Sequence, residues 1–178
     1  MSATTQPTPA AARIKQVLDR NAQALELRPG LGRHTAVTKV RLGEELACQV
    51  EEGEWKLNVG MSLKSGGLGT APNPGIYGRA SLGSCLAIGF AMWAARMEVP
   101  IRSLEVEIQA DMDARPEYGL CGAKPGYEQV RCIVTVESDA PATDVRRVID
   151  QANAGSSFLH IWRDPQDVVL DIRINGAH

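Results

Sequence analysis

Cys85 is the residue of this sequence whose surroundings best suit chemistry. A run of small residues, Ser-Leu-Gly-Ser from 81 to 84, precedes it and leaves room beside its sulfur atom. A cysteine thiolate is a nucleophile that can be oxidised and reduced again, whereas a cysteine packed in a core behaves as a small apolar residue. The positive end of a helix that begins near Pro74 would favour the thiolate, and so would Arg79 if it turns the same way. Cys85 and Arg79 are therefore the first candidate site residues.

The other three cysteines have simpler explanations. Cys48 and Cys132 alternate with aliphatic residues, a pattern that predicts core positions on strands. Cys121 lies in a loop rich in glycine, proline and charge, where its thiol could face solvent, although an incidental loop cysteine is the favoured interpretation from the residues alone. The four cysteines contain no CxxC pair, and only three histidines accompany them. We therefore expect no metal site and no organic cofactor.

The stretch from Ala71 to Val99 must position Cys85. A turn-forming run of glycine and proline ends at Pro74, and a long block of alanine, leucine, isoleucine, phenylalanine, methionine and tryptophan follows. This block predicts a helix that is buried on nearly every face. It is too short and too rich in glycine for a membrane span, and charged residues bracket it closely. We expect it to be the central helix of a domain.

On both sides of this helix, apolar residues alternate with polar ones and no longer recur at helical spacing. Before it, residues 35 to 63 predict three antiparallel strands with one buried face, in which Trp55 anchors the sheet. After it, two strands end at Ser138, a helix covers residues 142–154, and a last strand covers residues 167–174. Strands collected on one side of two helices predict an α+β domain.

The N-terminal region is expected to be an addition to this domain. Residues 1–12 are predicted to be a disordered arm, residues 13–28 an added amphipathic helix, and residues 33–176 the domain itself. The apolar positions of the helix are Ile14, Val17, Leu18, Ala22 and Leu25.

Composition excludes several classes of function. Lysine and arginine number 19 against 21 aspartate and glutamate, and no basic run stands out, so nucleic acid is not an expected partner. The sequence shows neither the basic and apolar order of a secretory signal nor a transmembrane segment. We expect a cytoplasmic protein that does not bind membranes and whose thiols are reduced by default.

The string NPGIYGRASLGSCLA, residues 73 to 87, resembles the signature of the osmotically induced protein C and organic hydroperoxide resistance (OsmC/Ohr) family. The likeness covers roughly Thr35 to Ile174. It implies the OsmC-like fold, in which antiparallel sheets pack around a long buried central helix, and an intertwined homodimer with active sites formed by both subunits. It also implies a thiol-dependent reduction of hydroperoxides through Cys85, and a role in peroxide detoxification.

Two features of the family pattern are missing from this sequence. Ser156 stands where the family has its second cysteine, and Gly75 stands where a glutamate commonly follows the Asn-Pro pair. An activating arginine from the first hairpin cannot be assigned, although Arg33 and Arg41 lie near that region. The oxidised Cys85 would then be resolved by Cys121, by the partner subunit or by an external small thiol.

Two alternatives remain open. The first is a family member without peroxidase chemistry that binds a hydrophobic ligand or a partner protein in the dimer cleft, where Met92, Trp93, Met97 and Trp162 could line a pocket. The second is another type of cysteine enzyme that uses His34 or His160 as a base.

Overall fold

The computed structural model describes residues 8–174 and has an α+β fold. Its elements are α1 (Pro9–Leu27), β1 (Lys39–Leu42), β2 (Ala47–Glu52), β3 (Trp55–Gly60), α2 (Pro74–Arg96), β4 (Ser103–Met112), β5 (Tyr127–Glu137), α3 (Ala142–Ala154) and α4 (Ser157–Arg163). The strands form two separate antiparallel sheets, β1–β2–β3 and β4–β5. The order of elements expected from the sequence is confirmed as far as α3.

Side-chain caps decide where the two long helices begin. Asn73 accepts a hydrogen bond from the backbone N–H of Ile76 at 3.0 Å, and Pro74 occupies the first turn of α2. Thr8 does the same for α1 by accepting from the N–H of Ala11 at 3.2 Å, with Pro9 in the first turn. Helix α1 therefore starts four residues earlier than residue 13. Of the arm predicted over residues 1–12, residues 1–7 lie outside the described residues.

The core lies between α2, the β4–β5 sheet, α3 and α4. Leu82, Leu86 and Phe90 of α2 are almost fully buried and pack with Ala152 of α3 and Leu159 of α4. Apolar side chains of the β4–β5 sheet cover this cluster. They are Leu104, Val106, Ile108, Val130 and Val134.

Gly83 lets α2 approach strand β4 closely. A Cβ atom at this position would lie 3.2 Å from Cγ1 of Ile108, which is tighter than ordinary van der Waals contact. The glycine thus brings the middle of α2, including Cys85 two residues later, against the sheet.

The expectation that α2 is buried on nearly every face is not met in the single chain. Its buried residues are Leu82, Gly83, Leu86, Phe90, Ala94 and Ala95. Ile76 and Ile88 on other faces are exposed, Ile88 to 59%. One side of α2 is therefore covered by the chain itself and another side is open.

The β1–β3 sheet stands apart from the core. Its strands pair in the register Val40 with Val50 and Val50 with Leu57, so these three side chains lie on one face. Val40 and Leu57 are exposed, and Trp55 is 70% exposed. The predictions of a buried sheet face and of Trp55 as a sheet anchor are therefore wrong for the single chain, because within residues 8–174 no helix is packed across this sheet.

The last predicted strand, residues 167–174, does not form. Residues 164–174 have neither helical nor strand structure, and their alternating aliphatic side chains face solvent, with Val168 77% exposed. Alternation of this kind identifies residues suited to a strand, but a strand also needs a neighbouring strand for its backbone hydrogen bonds. Just before this segment, residues 157–163 form the short helix α4.

Candidate functional site

Cys85 lies at one end of an apolar groove beside α2. The groove has a volume of about 360 Å³ and runs from Cys85 past Ile88 to Met92 and Trp93. The junction between α3 and α4 forms its opposite wall. Cys85 is half-buried and unpaired. A reactive thiol in this position would meet apolar molecules that enter the groove.

Ser156 is a hydrogen-bond partner of the sulfur atom. Its Oγ lies 3.9 Å from Sγ of Cys85, and it also accepts a hydrogen bond from the backbone N–H of Leu159 at 3.3 Å. Because the oxygen accepts from the backbone, the hydroxyl proton of Ser156 is available for donation to the sulfur. A donor at this distance can stabilise negative charge on Cys85 as the sulfur reacts.

Helix packing brings Ser156 to Cys85 across 71 residues of sequence. Val148 and Ala152 are buried where α3 packs against α2. Gly155 ends α3, and Ser156 then caps α4. The corner between α3 and α4 therefore lies at the level of Cys85.

Arg79 is engaged away from Cys85. Its Nη1 donates a hydrogen bond to Oη of Tyr127 at 2.9 Å. Tyr127 stacks on Trp162, with ring centroids 5.6 Å apart. Six residues along a helix correspond to a rotation of about 120° from Cys85, so the two side chains leave α2 in different directions. The structure places Arg79 with these two aromatic residues, where it ties α2 to β5 and α4.

The remaining cysteines lie outside the groove. Cys121 is exposed in the loop between β4 and β5, as expected, and Cys48 is half-buried on β2. Cys132 is exposed, so its predicted core position is wrong. Its neighbours on the same strand face, Val134 and Val136, line a trough that opens to solvent between β5 and α3. Partial desolvation of the sulfur still raises the pKa of Cys132, and the charge of Arg163 opposes that rise.

The two histidines considered as bases lie elsewhere. His160 is exposed on α4, and its Nδ1 lies 3.0 Å from Oδ2 of Asp164. His34 is exposed between α1 and β1. The structure thus pairs His160 with a carboxylate, and within residues 8–174 it shows no hydrogen bond between a histidine and Cys85.

Two kinds of feature are absent from residues 8–174. No group of three or more histidine, cysteine, aspartate or glutamate residues there is arranged to hold a metal ion. None of the helices in that part of the chain is long and apolar enough to cross a membrane.

Two contacts of the site region had not been foreseen from the sequence. One is the stacking of Tyr127 on Trp162, and the other is an ion pair between Asp19 of α1 and Arg96 of α2. Both join residues that are far apart in sequence, and no local pattern marks them. The position of Ser156 beside Cys85, in contrast, was indicated by the resemblance.

A family model described as OsmC-like protein matches residues 67–171, more than half of the 178 residues. The chain belongs to the OsmC-like family. The match contains α2, the β4–β5 sheet, α3 and α4, and therefore Cys85 and Ser156. Helix α1 and the β1–β3 sheet lie outside it. No curated protein sequence matches the chain.

Solved structures with low sequence identity share the fold. An OsmC-like protein from Mycoplasma pneumoniae has a TM-score of 0.62 and 12% identity, over 73% of this chain and 88% of that one. An organic hydroperoxide resistance protein OsmC from Legionella pneumophila has a TM-score of 0.55 and 17% identity, over 73% and 90%. An organic hydroperoxide resistance protein from Elizabethkingia anophelis has a TM-score of 0.55 and 14% identity, over 74% and 89%.

Proposed function

We propose that this OsmC-like protein is a thiol-dependent hydroperoxide reductase in which Cys85 is the peroxidatic residue. The observation that carries the proposal is the position of Cys85 at the end of an apolar groove with a hydroxyl donor, Ser156, 3.9 Å from its sulfur. The names of the Legionella and Elizabethkingia structures, both organic hydroperoxide resistance proteins, support the same reaction. The reaction would serve peroxide detoxification.

The first step is an attack by the Cys85 thiolate on the terminal oxygen of the hydroperoxide. The new bond joins sulfur to that oxygen, and the O–O bond breaks. The leaving alkoxide takes up a proton and departs as an alcohol, and the cysteine is left as a sulfenic acid. Cysteine is oxidised by two electrons and the hydroperoxide is reduced by two. Ser156 supports this step by donating a hydrogen bond from its hydroxyl group to the charged sulfur.

The sulfenic acid then needs a reductant that Ser156 cannot supply, since a hydroxyl forms no disulfide. We propose an external small thiol, which attacks the sulfur, forms a mixed disulfide and releases water. A second thiol attacks that disulfide, which regenerates Cys85 and yields an oxidised small disulfide. Cys121 remains the candidate for an internal resolving thiol because it is exposed on a loop. Arg79 is assigned a structural role through Tyr127.

We further propose that the protein is a homodimer. The exposed apolar side chains of the β1–β3 sheet, of residues 164–174 and of the open side of α2 support this, since large apolar side chains that recur along whole strands and one helix side are typical of an interface. A second copy of the chain would supply a strand neighbour for residues 167–174. It would also complete the wall of the Cys85 groove at Ile88.

One observation favours a second candidate function. Apart from Cys85 and the two serines at the α3–α4 junction, the groove is lined by apolar residues and glycine. A protein that only binds a hydrophobic ligand in this groove would need no more than that lining. A partner protein that binds in the same groove is the other form of this second candidate.

The test is mass spectrometry after brief exposure to an organic hydroperoxide in the presence of a sulfenic acid trap. We expect the trap at Cys85 in the wild type, and consumption of the hydroperoxide with a small thiol as reductant. Cys85→Ser should abolish this turnover, and Cys132→Ser, the matched control, should leave it unchanged. Ser156→Ala should slow it about tenfold, the loss expected for one hydrogen bond to a charged group. Full turnover by Cys85→Ser would contradict the role of Cys85, whereas a wild-type Cys85 that the hydroperoxide leaves unmodified would favour the ligand-binding function.

A further inference from the structure

Helix α1 reaches the far end of the Cys85 groove through a chain of three side chains. Oδ1 of Asp19 on α1 lies 3.0 Å from Nε of Arg96 on α2. The guanidinium of Arg96 lies 5.1 Å from the centroid of the Trp93 ring, in a cation–π arrangement. Trp93 lines the groove. An acidic residue of α1 thus holds the cation that covers a wall of the groove.

The packing of α1 keeps this arrangement in place. Ala94 and Ala95 are buried near the C-terminal end of α2, where α1 packs, and their small side chains allow the two helices to approach closely. Ile14 and Leu18 of α1 lie on its less exposed side, as the sequence pattern predicts. The Asp19 carboxylate also binds Lys15, one turn earlier, at 3.2 Å. The carboxylate of Asp19 therefore has one ion-pair partner in its own helix and one, Arg96, in α2.

The groove has a direction and a length. Cys85 and Trp93 are eight residues apart on α2, which corresponds to about 12 Å along the helix. Charged residues are absent from the described lining, and Ile88 and Met92 lie between the thiol and the tryptophan. A hydroperoxide that places its terminal oxygen at Cys85 would extend an apolar chain toward Trp93.

We propose that α1 determines the length of the apolar chain that the groove accepts, because Asp19 holds Arg96 over Trp93 and so fixes the far wall. The proposal rests on the proposed function, in which the groove holds the substrate. Helix α1 lies outside the residues that match the OsmC-like family model, so this control belongs to the added part of the chain. Asp19 and Arg96 act as specificity-determining residues through the position of Trp93.

The experiment measures binding of unreactive analogues, the linear primary alcohols from butanol to tetradecanol, by isothermal titration calorimetry. For the wild type, we expect affinity to rise with each added methylene until the chain spans the groove and then to level off. In Asp19→Asn and Arg96→Gln the affinity should level off at a longer alcohol. The dissociation constants of the long alcohols should fall about threefold relative to the wild type, and those of butanol and pentanol should not change.

Two further variants keep the test specific. Asp144→Asn removes the acidic partner of another partly exposed pair, with Arg147 on α3, and should retain the wild-type profile. The double variant Asp19→Arg with Arg96→Asp restores an ion pair between α1 and α2 but leaves no cation at position 96 over Trp93. It should behave like Arg96→Gln. Circular dichroism confirms that each variant is folded.

The proposal would be overturned by alcohols that do not bind, or by a chain-length profile that is the same in the wild type, Asp19→Asn and Arg96→Gln. A double variant with the wild-type profile would also contradict it, because Trp93 would then not be involved. Alcohol binding needs no redox chemistry. If the peroxidase proposal fails, the chain-length result therefore still tests the role of α1. If the wild type shows full peroxidase turnover and the Asp19 and Arg96 variants keep its chain-length profile, only the role of α1 is refuted and the peroxidase proposal stands.

Discussion

Residues 74–163, the packed half of the chain, contain the buried apolar core, whereas residues 39–60 and 164–174, the open half, leave most of their large apolar side chains exposed. Phe90 in the packed half is 1% exposed, and Leu42 in the open half is 70% exposed. Both halves have sequence patterns that are typical of buried elements. A sequence pattern therefore identifies residues suited to burial, but it does not indicate whether the same chain covers them. Cys85 and Ser156 both lie in the packed half, so their contact does not depend on a second copy.

The largest expected effect is on the stability of the packed half. Phe90→Ala removes a side chain from the centre of the core and should lower the free energy of unfolding by about 3–5 kcal/mol. Urea unfolding followed by circular dichroism measures this loss. Leu42→Ala, the matched change in the open half, should cost less than about 0.5 kcal/mol in dilute protein, because its side chain is already exposed. Equal costs for the two variants would remove the distinction between the halves.

The second prediction uses the rigidity of the packed half. Ser156→Cys places a thiol beside Cys85, and oxidation should join the two within one chain, since the present Sγ to Oγ distance of 3.9 Å leaves only a small adjustment. A bridge that closes a loop of this length stabilises a fold by up to about 4 kcal/mol. Non-reducing mass spectrometry and thermal unfolding measure both results. Bridges between two chains instead would mean that the α3–α4 corner is not fixed by packing in one subunit.

The third prediction concerns the open half. Leu42→Asp should weaken self-association at least tenfold, because it places a charge on the apolar sheet that we propose a second copy covers. Sedimentation equilibrium measures the association, and the melting temperature of the variant should no longer depend on protein concentration. Leu27→Asp, at the exposed end of α1, is the control and should associate like the wild type. A wild-type protein that is monomeric at all concentrations would contradict the homodimer.

The sequence predicted the packed half well for physical reasons that act locally. Asn73 and Pro74 define the start of α2, and the bounds of α3, residues 142–154, agree with the prediction. The position of Cys85 on a helix and of Ser156 near it followed from motif and resemblance. These features depend on caps, turns and periodicity, which are readable within a few residues.

What the sequence could not predict depends on contacts between distant segments. Cys132 alternates with valines as a core residue would, yet nothing in the described chain covers it fully. Arg79 lies close enough in sequence to suggest a role near Cys85, but Tyr127, 48 residues away, binds its guanidinium. The exposure of Trp55 has the same origin, since burial of a sheet face requires a partner that the strand pattern does not name.

The smallest expected effect is a difference in pH dependence between the two halves. Arg131 binds Asp111 in the packed half and holds the pKa of that carboxyl below its ordinary value of 3.8. Arg41 likewise lowers the pKa of Glu51 in the open half below 4.5. When the pKa of a carboxyl is lower in the folded state than in the unfolded state, its ionisation stabilises the fold. This stability is fully present at a pH above the unfolded-state pKa and is lost as the pH falls through the folded-state pKa.

Asp111→Asn should therefore lower the urea midpoint slightly at pH 7, and its difference from the wild type should shrink as the pH falls below about 4. Glu51→Gln should leave the urea midpoint of dilute protein unchanged both at pH 7 and at a pH below about 4. The reason is that the β1–β3 sheet, which lies apart from the core, can open locally without unfolding the packed half. A pH-dependent change in Glu51→Gln as large as that in Asp111→Asn would show that the sheet unfolds together with the core, and the two halves would then be one cooperative unit even in a single chain.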